Sequence, residues 1–516
     1  MRTRTRTLEA VLAWLMVGLL VAGGFVAAVF QQPILAATGL VRSGAPATVP
    51  PGMFSPSPTP GPDPDAVGTG LADGADTPAA GALPDRAILD ARLAGLDRTK
   101  LAGADGSAPQ IGWEVVDVAT GEVVSASDAT SPLIPASNTK TLTTVAVMNA
   151  FAGDERFATT VVQPAPGQVV LVGGGDPMLR SEPADAGAYP QPPTTLQLAA
   201  DTAAALTAAG QTSVALGFDV SLFEDSGWNE TWPAAYRDQV TQLSALWVDE
   251  GRVGGVRSRT PALDAARIFA AQLTAAGITV TGVPAPAAAG GPELARVESL
   301  PVHVLVETAM NRSNNSFTEV LGFQLALATG HPSTFAGSVA AIEEQLTALG
   351  LWDDGAVLRD GSGLSRSNRV TANMLATALR AMSTDPRLSV ILDGLPTAGV
   401  TGTLADRFTD QISLPARGVA RAKTGTLSFV STLAGTTLTA DGRQLTFAFL
   451  INGPPDGFSA KLWTDQATGV VAACGCSWSA HRSSTGRWPA APPSLRPATC
   501  PASRARSCTG WWRICG

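Results

Sequence analysis

The sequence predicts an α+β fold in which an antiparallel sheet, with strands drawn from both ends of the folded region, is flanked by helices from its middle. Three observations carry this. "IGWEVVDVATGEVVSAS" (111–127) places strand-like segments on either side of Ala119-Thr120-Gly121, a hairpin signal. "VARAKTGTLSFVSTLAGTTLT" and "QLTFAFLING", joined by the turn Ala440-Asp441-Gly442-Arg443, form a second hairpin near the other end. Between them, helical stretches dominate: "LTTVAVMNAFAG", "VHVLVETAMNRSNNSFTEVLGFQLALA" and "ANMLATALRAM". Strands at both ends with helices between them make a sheet covered by helices.

Along the chain, "LPDRAILDARLAGLDRT" (83–99) has apolar residues near helical spacing and opens the folded region. The first hairpin follows, and then "PLIPASNTKTLTT", a helix start bounded by Pro135 before it and Gly153 after it. Residues 158–290 read as a separate unit, with "GQVVLVGGGDPML", a long Ala-rich helix at 194–209 and "RIFAAQLTAAGITVTG". The glycines at 173–175 are read as a tight turn, because no Lys-Ser or Lys-Thr follows to make a phosphate loop. A final helix spans about 457–473. The remainder of the body, 83–157 and 291–476, is grouped as a second unit.

Composition narrows the function classes. Of 516 residues, 45% are hydrophobic and only 15% charged, with net charge −8. No basic stripe occurs outside the two ends, so nucleic acid is not an expected partner. The three histidines, His303, His331 and His481, are far apart, which argues against a zinc site or a Ser/His/Asp triad. No metal or cofactor is expected. At the N-terminus, Arg2, Arg4 and Arg6 precede the apolar run Ala10–Phe30, long enough to span a bilayer. Residues 1–37 are therefore read as a membrane anchor or a cleaved signal peptide, with the anchor favoured and the bulk of the chain exported. Residues 38–82, including "PSPTPGPDPD", form a Pro/Gly/Ala-rich tether. All five cysteines fall within the last 43 residues, and 477–516 has six Arg and four Trp but no Asp, Glu or Lys. This segment is read as a disordered or aberrant tail, such as out-of-frame translation would give.

Three short motifs occur in order: Ser137-x-x-Lys140, Ser313-Asn314-Asn315 and Lys423-Thr424-Gly425. Each alone is explained by helix capping or a strand-edge charge. Together they match the S-x-x-K, S-x-N and K-T-G set of penicillin-binding proteins and serine β-lactamases. The chemistry accounts for the residue types. A serine hydroxyl is a poor nucleophile until a base takes its proton. Lys140 serves as that base only if burial and a neighbouring positive charge, such as Lys423, lower its pKa. A Ser313–Lys423 pair is the alternative base. Ser313 would relay a proton to the leaving amine, and Asn315 would bind a substrate amide. Lys423 and Thr424 suit a terminal carboxylate, and Gly425 leaves room for a substrate backbone beside the strand. The N–H groups of Ser137 and Thr426 would stabilise the oxyanion.

With "GGGDP", "SALWVDEGR", "DGSGLSR" and the wide gap between Ser137 and Ser313, the chain resembles the type-4 low-molecular-mass penicillin-binding proteins over about 85–475. The resemblance implies a β-lactamase/transpeptidase-like catalytic domain, 83–157 and 291–476, interrupted by one inserted domain, 158–290. The implied activity is that of a penicillin-sensitive D-alanyl-D-alanine carboxypeptidase, often also an endopeptidase. Its substrates would be peptidoglycan peptides ending in, or crosslinked through, D-Ala. Its inhibitors would be β-lactams, bound covalently, and the site would be the cell envelope. Two departures stand out. Asn314 replaces a frequent aspartate, and little lies between Arg252 and "TPALDAARIF", where larger members carry a nested domain. Asp360-Gly361-Ser362-Gly363 is read as a turn forming a cleft wall, with Ser362 not catalytic. Two other readings are a β-lactamase or esterase on the same fold, and a catalytically silent wall-binding scaffold.

Overall fold

The computed structural model describes residues 81–103, 106–225 and 227–475. The expected anchor (1–37), nearly all of the tether (38–82) and the tail (477–516) lie outside the described residues. Among the described residues, no helix is long and apolar enough to cross a membrane.

The first sheet has five strands, antiparallel throughout, in the order 421–427, 430–438, 444–452, 110–117 and 123–127. Its strands are β1 (Gln110–Asp117), β2 (Val123–Ser127), β10 (Arg421–Leu427), β11 (Val430–Leu438) and β12 (Gln444–Asn452). Alternation along the central strand β12 explains why it is covered on both faces. Leu445, Phe447, Phe449 and Ile451 point to one core, together with Trp113 and Val115 of β1. That core is closed by α1 (Arg86–Ala94) and α10 (Gly457–Ala472), through Leu89, Leu93 and Trp463. Ala448 and Leu450 point the other way, into the core built by α2 (Thr139–Ala150) and by helices that come later in the chain. Phe447 and Phe449 are fully buried, each stabilising the fold by roughly 1.5–3 kcal/mol. This is the α+β architecture expected from the two hairpins.

A second sheet is built from residues between α2 and the later helices: β3 (Ala158–Ala165), β4 (Gln168–Val172), β5 (Ser213–Asp219), β8 (Thr279–Pro286) and β9 (Glu293–Glu298). Its order is β8-β5-β4-β3-β9. The β4–β5 and β5–β8 pairs are parallel, and each needs a crossover, supplied by α3 (Thr195–Ala208) and α4 (Pro261–Ala275). A two-residue-strand hairpin, β6 (Arg252–Val253) and β7 (Val256–Arg257), precedes α4. Glycines 173–175 do not form the expected tight turn. They let the chain cross its neighbours: a Cβ on Gly174 would lie 1.9 Å from the Ala158 carbonyl oxygen. Gly175 donates its N–H to the Ala245 carbonyl at 2.8 Å, and the turn itself comes at Pro177–Met178.

The remaining helices are α5 (Val302–Arg312), α6 (Asn315–Ala328), α7 (Phe335–Ala348), α8 (Ala372–Thr384) and the short α9 (Val390–Asp393). Two expected continuous elements are in fact broken. The stretch 302–328 is two helices, because Ser313 takes a left-handed conformation (φ 50°) and Asn314 caps α6 by accepting from the Phe317 N–H. The stretch 419–439 is two strands, β10 and β11, reversed at Ser428–Phe429, where Phe429 has φ 59°. Both breaks lie beside the motif residues.

Candidate active site

Ser137 sits in a single 3₁₀ turn, Ala136–Asn138, that runs directly into α2. The buried Ala136 preceding it has φ 48°, a costly conformation for a residue with a Cβ. The turn is held from β11. Thr432 Oγ1 donates to the Pro135 carbonyl at 2.8 Å and accepts from Asn138 Nδ2 at 2.7 Å. Lys140 follows one turn later and is fully buried. Its Nζ reaches three oxygens: Ser137 Oγ at 3.1 Å, Asn315 Oδ1 at 2.6 Å and the Ser362 carbonyl at 2.6 Å.

Those three partners differ chemically. Asn315 Oδ1 and the Ser362 carbonyl oxygen can only accept, whereas the Ser137 hydroxyl can also donate. As an ammonium, Lys140 satisfies all three. As a neutral amine it keeps two N–H bonds for the two obligate acceptors, and its lone pair is left facing Ser137. Burial pushes the Lys140 pKa down to about 8. The expected help from a neighbouring positive charge is not what lowers it. The charges acting on Lys140 are the carboxylates of Asp360 and Glu319, which pull its pKa back up.

Ser313 and Lys423 form the second pair. The left-handed break between α5 and α6 turns Ser313 toward β10, where its Oγ accepts from Lys423 Nζ at 2.6 Å. Lys423 is fully buried and also donates to the Thr424 carbonyl at 2.9 Å. Burial, and then the charge of Lys140, holds its pKa well below the ordinary lysine range. The charge of Lys140 thus disfavours protonation of Lys423. Asn315, expected to bind a substrate amide, has both ends of its own amide engaged here: Oδ1 by Lys140, and Nδ2 as donor to the Gln239 carbonyl at 2.9 Å.

Strand β10 ends the first sheet among the described residues. The Ala422 N–H donates to the Pro396 carbonyl on the side away from β11. By strand periodicity the N–H groups of Thr424 and Thr426 point the same way. Thr424 Oγ1 donates to Thr403 Oγ1 at 3.1 Å, and Thr426 is exposed. Gly425 also has a packing reason of its own. A Cβ there would lie 2.1 Å from Thr432 Oγ1 and 2.7 Å from the Pro135 carbonyl oxygen, so the glycine first makes room for the turn that carries Ser137. Arg366 Nη1 donates to the Ser428 carbonyl at 2.8 Å, tying the "DGSGLSR" segment to the β10–β11 reversal.

Sequence reasoning missed Glu319. It is fully buried on α6, four residues after Asn315 and therefore on the same helix face. Its Oε2 and Oε1 accept the N–H groups of Gly361 (3.1 Å) and Ser362 (2.8 Å). Burial, reinforced by Asp360, raises its pKa to about 8. The available signal was that Glu319 is the single charged residue in an otherwise apolar and neutral helix. Asp360 anchors the same turn, accepting from Trp232 Nε1, the Gly363 and Ser365 N–H groups and Asn368 Nδ2 at 2.6–2.9 Å. Among the described residues, no group of His, Cys, Asp and Glu is arranged to hold a metal ion. A polar recess of about 300 Å³ opens beside Ser313 and Asn315, with Asp238, Arg252 and Arg257 in its walls.

The D-Ala-D-Ala carboxypeptidase 3 (S13) family matches residues 98–255 and 253–473. A carboxypeptidase of Mycobacterium tuberculosis is 36% identical over 431 residues, covering 79% of this chain and 87% of that protein. A D-alanyl-D-alanine carboxypeptidase of an Actinomadura species is 31% identical over 438 residues, covering 66% of this chain and 77% of the relative. The crystal structure of penicillin binding protein 4 from Haemophilus influenzae superposes with a TM-score of 0.61 at 20% identity, covering 74% of this chain and 98% of that one. The same protein in complex with a β-lactam gives 0.55 at 22% identity.

Proposed function

The chain belongs to the D-Ala-D-Ala carboxypeptidase 3 (S13) family, and on that premise we propose that Ser137 is the nucleophile of a serine-type D-Ala-D-Ala carboxypeptidase, with Lys140 as its base. The observation that carries this reading is the contact of Lys140 Nζ with Ser137 Oγ at 3.1 Å, made by a lysine wholly removed from water. In the reactive state the amine lone pair takes the serine proton. Ser137 Oγ then bonds to the carbonyl carbon of the penultimate D-Ala. The N–H groups of Ser137 and Thr426 stabilise the oxyanion that forms. Ser313, held by its 2.6 Å contact with Lys423, gives its hydroxyl proton to the departing D-Ala amine as the C–N bond breaks, and takes in exchange the proton that Lys140 removed from Ser137. Water then hydrolyses the ester and regenerates Ser137. Lys423 and Thr424 receive the substrate's terminal carboxylate, and Gly425 keeps the strand edge within reach of Ser137. Asn315 directs Lys140 and, after a rotation of its amide, the substrate backbone.

In this reading the enzyme acts outside the cytoplasm on peptidoglycan stem peptides, held there by the N-terminal apolar segment, and β-lactams acylate Ser137. Residues 158–290, which contain most of the second sheet, are an inserted domain beside the catalytic one. A peptide ending in D-Ala-D-Ala tests the reading. Purified protein should release D-Ala, and labelled penicillin should add one equivalent of mass on the peptide containing Ser137. Ser137→Ala should abolish both. Undiminished labelling of that variant overturns the assignment.

A further inference from the structure

The carboxylate of Glu319 has no part in the steps above, yet it lies at the centre of the buried network beneath them. Its two oxygens each accept a backbone N–H from the same turn, those of Gly361 and Ser362. The carbonyl of Ser362 in turn accepts from Lys140 Nζ. Thr143 Oγ1, on α2 below Lys140, donates to the Gly361 carbonyl at 2.7 Å. The turn is thus gripped from α6 through its N–H groups and from α2 through its carbonyls. Two converging N–H donors match an ionised carboxylate, which offers acceptors on both oxygens; a protonated acid or an amide matches them only half as well.

We infer that Glu319 is a positioning residue for the reaction: it fixes the 360–363 turn so that the Ser362 carbonyl holds Lys140, while its negative charge favours the protonated form of that lysine. The inference rests on the reading of Lys140 as the base. The charged groups that interact within this network are Lys140 from α2 and Asp360 from the turn, and Lys423 of β10 interacts in turn with Lys140. A carboxylate beside Lys140 stabilises its ammonium, which opposes catalysis. The same carboxylate orients one of the two obligate acceptors that aim the lone pair, the Ser362 carbonyl. The arrangement exchanges some of the base's readiness for its direction. It also places the pKa of Lys140 higher than burial alone would leave it.

The test is the pH profile of Ser137 acylation by a labelled penicillin. Removing a negative charge favours the neutral amine, so Glu319→Gln should move the midpoint of the acid limb down by about one pH unit. Its plateau should also fall, because the amide accepts only one of the two N–H groups. Glu319→Asp, which keeps the charge, should return the midpoint to its original position. An unmoved or raised midpoint in Glu319→Gln overturns the inference. Lys140→Ala separates the two readings: if it is acylated like the parent protein, the base assignment fails. If it is inactive while Glu319→Gln leaves the midpoint unmoved, only the role of Glu319 fails. Should Glu319→Gln not fold, the infrared band of the buried carboxyl group can be followed in the parent protein and in Lys140→Ala. Loss of the ammonium should raise the pH at which that band disappears, and an unchanged titration overturns the inference.

Discussion

Asn315 Oδ1 accepts a hydrogen bond from Lys140 Nζ at 2.6 Å, across 175 residues of sequence. The contact joins the first two motifs directly, and it works because the helix break at Ser313 starts α6 with Asn315 facing α2. Asn315→Ala removes one of the two obligate acceptors that aim the lysine. Acylation of Ser137 should fall about 100-fold, the scale on which small misplacements of reacting groups cost rate. Stopped-flow acylation by a chromogenic β-lactam measures it, with circular dichroism checking that the fold persists. Asn315→Asp should act differently. A second carboxylate beside Lys140 would raise the lysine pKa and move the acid limb of the profile to higher pH.

The burial of Lys140 sets the pH dependence of the parent protein. With a pKa of about 8, held down by burial, about a tenth of the lysine is neutral at pH 7. The base form is the deprotonated one, so the acylation rate should rise about tenfold from pH 6 to pH 7 and level off above pH 8. A rate that is flat from pH 6 to pH 9 would show that proton removal by Lys140 does not limit acylation.

Gly425→Ala separates two roles for this glycine. If it only made room for substrate, alanine would raise KM and leave the fold alone. The added Cβ instead meets Thr432 Oγ1 and the Pro135 carbonyl oxygen at sub-van der Waals distances. Both of these atoms hold the turn that carries Ser137. The variant should lose about 1–3 kcal/mol of stability, read as a lower Tm, and its acylation rate should fall even with small β-lactams that do not extend along β10.

The pattern that locates the sheet is visible in the residues themselves. Leu445, Phe447, Phe449 and Ile451 alternate with Ala448 and Leu450 because β12 is buried on both faces. The contacts that organise the site are not visible in this way. Ser313 reads as helix interior because its neighbours are helix formers on both sides. Its left-handed φ is imposed by the capping of α6 by Asn314 and by its contact with Lys423, 110 residues away. The partners of Glu319 are backbone N–H groups 42 and 43 residues away, which leave no signature in side-chain type. Gly425 announces a close approach, but not what approaches. Local periodicity records burial, whereas a site assembled from a turn, a helix break and a strand edge is decided by tertiary packing.

The ion pair of Asp117 and Arg443 gives a prediction away from the chemistry. Arg443 Nε and Nη2 donate to the two oxygens of the fully buried Asp117 at 2.6 and 2.9 Å, and Nη1 donates to the Gly81 carbonyl at 2.7 Å. This pins the end of β1 to the start of β12 and to the first described residue of the body. Desolvation alone would raise the Asp117 pKa. The hydrogen bonds from Arg443 and Thr120 outweigh it and leave the carboxyl below its ordinary value. Its folded pKa is therefore lower than its unfolded one. The stabilisation is complete above the unfolded value of 3.8 and is lost as the pH falls through the folded value. Arg443→Met leaves a buried carboxylate without its partner and should cost about 3 kcal/mol at pH 7. The same carboxyl, no longer held low, should now titrate near or above its ordinary range. Acid unfolding of the variant should therefore begin at a higher pH than in the parent protein, and urea denaturation at pH 7 and at pH 4 measures both effects. Equal stability of the two proteins at pH 7 would show that this pair contributes nothing to holding the sheet.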